Sequence, residues 1–302
     1  MRHLVYIFLF IIFLTSQSIA HSKEHSVAFD LGYQFIPEGA TSHLEFITIL
    51  PRTIANCQHI NTINFSIPPD SIYENDGNNY AKFVFSNVSQ NISLTINVEA
   101  MLMNYDLNTA LSISLNSIDE TFNKYLQSEI FQEKDDPLIQ TIAKTITGNE
   151  DITIVKNIYT YVKRSMRYMG YTPFSLGAKY AAKMKQGDCT EFSDLFVALC
   201  RAKNIPAKSI DGYTTTNYNV PSHAWTEVFL SGYGWVPFDV TLDDNKLSTF
   251  TRLKPIYIYF SQTRNDRELT LKNRIQDAHF FSYWYIGSPV RFFNSFIVRK
   301  YI

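Results

Sequence analysis

The stretch Gly187-Asp188-Cys189-Thr190-Glu191-Phe192-Ser193 puts a cysteine at the head of an apolar helical pattern. Phe192, Leu195, Phe196, Leu199 and Ala202 recur at helical spacing, and Asn204-Ile205-Pro206 ends the run. Asp188 is a suitable N-cap and Gly187 a suitable turn residue before it. Cys189 then lies in the first turn, where the positive end of the helix dipole favours a thiolate. A backbone amide of that turn is placed to hold an oxyanion. A cysteine at the cap, between Asp and Thr, is poorly placed for packing under the helix.

Working outward, Ser222-His223-Ala224-Trp225-Thr226-Glu227-Val228 reads as a strand, Ser231-Gly232-Tyr233-Gly234 as a turn, and Trp235-Val236-Pro237-Phe238-Asp239 as the return strand. Folding about that turn brings Asp239 within about two positions of His223 across the hairpin. Both positions are odd, so a regular register lets the two side chains share a sheet face. A nucleophilic cysteine needs a base within reach and a third group to orient that base. Cys189, His223 and Asp239 supply all three, with the carboxylate fixing the imidazole tautomer.

These blocks, with Cys-Thr-Glu-Phe-Ser-Asp-Leu-Phe-Val-Ala-Leu-Cys, Asp211-Gly212-Tyr213, His-Ala-Trp-Thr-Glu-Val and Gly-Trp-Val-Pro-Phe-Asp, resemble the transglutaminase-like superfamily over roughly residues 135 to 245. The resemblance implies a papain-like α+β catalytic fold with Cys189 as nucleophile, His223 as base and Asp239 as orienting acid. It implies attack on amide bonds of a protein or peptide substrate through a cysteine-linked thioester, resolved by an amine or by water. The family includes protein cross-linkers, proteases, amidases and inactive relatives. A cysteine protease or amidase of the cell envelope and a non-catalytic envelope binding protein are therefore the other readings.

Upstream the chain is β-rich. Ile92, Leu94, Ile96 and Val98 alternate with polar residues as a half-buried strand, and Asn75-Asp76-Gly77-Asn78 marks a hairpin turn. Residues 21–115 are expected to form an antiparallel β-sandwich, and 116–302 the catalytic domain. Asp135-Asp136-Pro137 opens a helix, and a second begins at Asp151. Residues 255–260 and 279–285 read as late strands. The polar run Thr214 to Asn219 adjoins His223, where loops commonly set specificity.

Residues 1–20 read as a signal peptide: Arg2 and His3, an apolar run from Leu4 to Leu14, then Ser18-Ile19-Ala20 as the cleavage site. The run is too short for an ordinary membrane-spanning helix. The expected location is secreted or periplasmic, with no stable span after cleavage. Net charge is −1, which implies no nucleic-acid partner. Three cysteines leave at least one free thiol, and Cys189 is the natural one. Cys200 is expected to be a small buried residue, with a Cys57–Cys200 disulfide as the alternative. No CxxC pair or histidine cluster suggests zinc, and Asp243-Asp244-Asn245 lacks a calcium-loop spacing. No metal and no cofactor are expected.

Overall fold

The alternation at residues 92–98 falls inside a twelve-residue strand whose Leu94, Ile96 and Val98 are buried. The computed structural model describes residues 24–110, 120–216, 222–241, 248–270, 275–277 and 279–302. The signal peptide expected at 1–20 lies outside those residues, as do 217–221 of the loop before His223 and the acidic run 243–245.

Six strands come first: β1 (Glu24–Pro37), β2 (Thr41–Leu50), β3 (Gln58–Phe65), β4 (Ser71–Asn75), β5 (Asn78–Val88) and β6 (Ile92–Met103). Asp76 and Gly77 join β4 to β5 with φ of 51° and 81°. Two consecutive positive φ values belong to the tight primed turn that matches strand twist. Four helices follow: α1 (Pro137–Thr145), α2 (Asp151–Ser165), α3 (Gly177–Met184) and α4 (Cys189–Ala202). Asp136 caps α1, accepting from the Leu138 amide at 2.9 Å with Pro137 at the first turn.

After α4 come β7 (Ala207–Thr214), β8 (Ser222–Leu230), β9 (Gly234–Phe238) and β10 (Tyr257–Ser261), ordered β9-β8-β7-β10 in one antiparallel sheet. The chain ends with β11 (Ile275–Asp277), β12 (Phe281–Gly287) and β13 (Val290–Tyr301).

These last strands correct the expected domain division. β13 pairs with β1 along its length, and β12 pairs with β2. They complete two N-terminal sheets, ordered β13-β1-β6-β3 and β11-β12-β2-β5-β4, rather than the sheet that carries His223. The physical reason is aromatic packing. Phe35 of β1 meets Phe46 of β2 at 5.2 Å and Phe292 of β13 at 5.0 Å, and Phe281 of β12 lies 4.8 Å from Phe292. Without β12 and β13 the buried Phe35 and Phe46 rings would face water.

The sandwich and the β9-β8-β7-β10 sheet are joined by buried polar side chains. Gln58 donates to the carbonyls of Arg52 and Tyr259 at 2.8 and 3.1 Å and accepts from the Tyr259 amide at 3.0 Å. Asn78 accepts from the Gln262 amide at 3.0 Å, and Tyr80 donates to Asp266 at 2.6 Å. Buried donors and acceptors left unpaired are costly, so these bonds fix how the two layers meet.

Candidate active site

Asp188 and Glu191 build the start of α4 as a capping box. The Asp188 carboxylate accepts from the Thr190 amide at 2.8 Å, and Glu191 accepts from the Asp188 amide at 3.1 Å. Gly187 has a packing reason: a Cβ there would run into the Glu191 side chain. Cys189 is the first residue of the helix and partly exposed. Its amide belongs to the first-turn N–H groups that have no acceptor inside the helix.

The same carboxylates fasten the loop before α3. Thr172 donates to Asp188 from its amide and hydroxyl at 2.9 and 3.0 Å, and the Leu176 amide donates to Glu191 at 2.9 Å. Burial pushes the Glu191 carboxyl up to about 7, against the opposing pull of the Leu176 amide. Glu191 is absent from the residues singled out in the sequence. Its spacing three residues after the cap is the signal that marks it.

His223 stands at the start of β8 and Asp239 just past the end of β9. The register pairs Thr226 with Phe238, which places Asp239 two positions from the point opposite His223, as the hairpin pattern predicts. His223 Nε2 lies 2.7 Å from Asp239 Oδ2. Burial pulls the imidazole down, but the Asp239 charge and hydrogen bonds to Asp239 and Cys189 outweigh it and push it up to about 10. With Nε2 engaged by the carboxylate, Nδ1 remains for the Cys189 thiol. All three sequence-derived residues converge.

Sequence reasoning misses Tyr257 on β10. Its hydroxyl donates to Asp239 Oδ2 at 2.7 Å, while the Thr241 amide donates to Oδ1 at 2.8 Å. Burial and the adjacent carboxylate hold the Tyr257 phenol well above its ordinary range, so it remains a donor. Its distance from the motifs leaves no local cue.

Cys189 and His223 open into a cleft of about 1170 Å³. The segment after β10 and strand β7 also line it. There Arg264 makes a paired contact with Asp194 at 2.9 and 3.1 Å, and His279 Nδ1 lies 3.0 Å from Asp211 Oδ2. Burial acts to raise the Asp211 carboxyl, but the nearby His279, Arg264 and His223 charges hold it below its ordinary range.

The other two thiols stay out of this chemistry. Cys57 and Cys200 are buried and unbridged. Burial pushes Cys57 up to about 12 and Cys200 upward as well.

The family model described as the transglutaminase-like superfamily matches residues 140–240, the span from α1 to just past Asp239. Residues 140–240 belong to the transglutaminase-like superfamily. A candidate cysteine protease from Cytophaga hutchinsonii shares the fold at a TM-score of 0.60, with 18% identity over 92% of this chain and 91% of that one. YebA, an uncharacterized protein of Bacillus subtilis strain 168, is 26% identical over 159 residues, covering 42% of this chain. The match spans 21% of YebA's length, about a fifth of that relative. Among the described residues, no helix is long and apolar enough to cross a membrane.

Proposed function

We propose that this chain is an exported thiol enzyme that cleaves or transfers amide bonds of proteins or peptides. The observation that carries this reading is the His223–Asp239 contact at 2.7 Å beside Cys189 at a helix start, inside a cleft. The Cys189 thiolate attacks the amide carbonyl carbon. The carbonyl electron pair moves to oxygen, where the helix-terminal amide of Cys189 donates to it. The His223 imidazolium gives its proton to the departing nitrogen, the C–N bond breaks, and a thioester remains. Water or an amine then attacks the thioester, His223 takes the attacker's proton, and the Cys189 thiolate leaves.

Asp239 orients the imidazole and stabilises its charged form. Tyr257 positions Asp239. Water as attacker makes the enzyme a protease or amidase, and an amine makes it a cross-linker. Export is supported by the charged and apolar leader at residues 2–14. The reading is tested by mass spectrometry of a peptide library incubated with and without a primary amine. Cleaved, deamidated or amine-linked products that vanish with Cys189→Ala are expected. Unmodified peptides under every condition would overturn it.

A further inference from the structure

The loop that the nucleophile helix holds in place carries exposed apolar side chains beside the reacting sulfur. Tyr168, Met169, Tyr171 and Phe174 fall within seven positions, and Tyr171 and Phe174 are 64% and 75% exposed. A short loop has no folding reason to leave its largest rings in water, since each loses the benefit of burial. The loop is not loosely attached. Thr172 and Leu176 are tied to Asp188 and Glu191, the residues that cap α4 on either side of Cys189. The position of these rings relative to the sulfur is therefore set by the same hydrogen bonds that set the nucleophile.

Tyr168, Tyr171 and Phe174 line the cleft, and Phe131 lines it from a separate turn. Phe131 holds φ of 72°, a backbone region disfavoured for a bulky residue, and its ring lies 4.7 Å from the Arg264 guanidinium. Strain kept at a cleft is a mark of a functional position. The charges on that side are matched in pairs, Arg264 with Asp194 and His279 with Asp211. The open feature of the cleft is thus its apolar surface.

We propose that the 168–174 loop is a specificity subsite, which takes an aromatic or large aliphatic side chain of the acyl-donor peptide next to the residue whose carbonyl is attacked. This rests on the proposed thiol chemistry and names its substrate class. An extended peptide advances about 3.3 Å per residue. A carbonyl held at Cys189 therefore brings the neighbouring side chains of the same peptide to the loop. Phe131 adds a further ring to the same cleft.

The test separates binding from turnover. Fluorescent peptides that differ only in one flanking residue, Phe, Leu, Ser or Gly, are titrated against the full chain bearing Cys189→Ala. The same titration is made with Tyr171→Ser and Phe174→Ser added. The apolar-over-polar affinity ratio is expected to exceed about tenfold and to fall about tenfold with the two loop substitutions, the scale on which an apolar pocket discriminates. Circular dichroism checks that the loop variant is folded, and single Phe174→Leu should restore the ratio seen with Phe174. Equal affinities for all four peptides, or a ratio unmoved by the substitutions, would overturn the subsite. So would loss of vesicle binding or of dimer formation in the loop variant with peptide affinity intact, since the rings would then serve a lipid surface or a second copy. Turnover by the Cys189 enzyme is read separately, so a binding result stands even where the catalytic reading fails.

Discussion

Two histidines line one cleft, each paired with a carboxylate, and the pairs are built differently. His223 and Asp239 sit 2.7 Å apart, with side chains 9% and 0% exposed, and Tyr257 and the Thr241 amide hold the carboxylate from behind. His279 and Asp211 sit 3.0 Å apart with side chains 25% and 8% exposed, Asp211 on β7 opposite Ala224. Hydrogen bonding to Cys189 contributes to the His223 shift. A histidine and a carboxylate at contact distance do not by themselves make a catalytic pair. The proposed catalytic pair differs in its bond to the Cys189 thiol and in the two further donors that hold its carboxylate.

The largest test of this contrast is removal of the nucleophile. Cys189→Ala should abolish turnover while shifting the melting temperature little, because the side chain is partly exposed and carries no core packing. Thermal unfolding alongside product analysis checks both halves. Next, Asp239→Asn should cut turnover by roughly a thousandfold, since an amide can hold His223 in the wrong tautomer. The pH dependence of Cys189 alkylation should move with it. His223 is raised from 6.5 to about 10 in the folded chain, so the imidazolium–carboxylate pair stabilises the fold fully below pH 6.5 and is lost as pH rises through about 10. In Asp239→Asn the alkaline transition should fall by about 2 pH units or more, because burial then acts unopposed by the carboxylate. An unmoved transition would detach His223 from Asp239.

Smaller effects sharpen the contrast. Tyr257→Phe removes one hydrogen bond to an ionised group and should lower turnover roughly tenfold with KM nearly unchanged. Asp211→Asn should change turnover less than about fivefold, because Asp211 pairs with His279 and not with His223. Steady-state kinetics of the two variants side by side decide the matter. A thousandfold loss in Asp211→Asn would mean that the His279–Asp211 pair does chemistry.

Much of this site is legible in the chain because its parts are local. Asp188 before Cys189 marks the helix start, and the hairpin between His223 and Asp239 is short enough for its register to be counted across Ser231–Gly234. The alternation at 92–98 likewise reports burial on one sheet face. What escapes is long-range. Tyr257 reaches Asp239 from a separate strand, and β12 and β13 return across nearly the whole chain to pair with β2 and β1. Periodicity marks strands in residues 281–301 but carries no record of their partners, which aromatic packing selects. Arg264 and His279 reach the cleft for the same reason, carried there by the segment that leads back to the sandwich.

The most direct measurement of the central claim is peptide mapping after brief iodoacetamide treatment of the folded chain at neutral pH. Cys189 should label first, by virtue of its place beside His223 at the helix start, whereas Cys57 and Cys200 should label only on unfolding, because burial holds their thiols protonated and out of reach. First labelling at Cys57 or Cys200, with Cys189 inert, would contradict the assignment of the nucleophile.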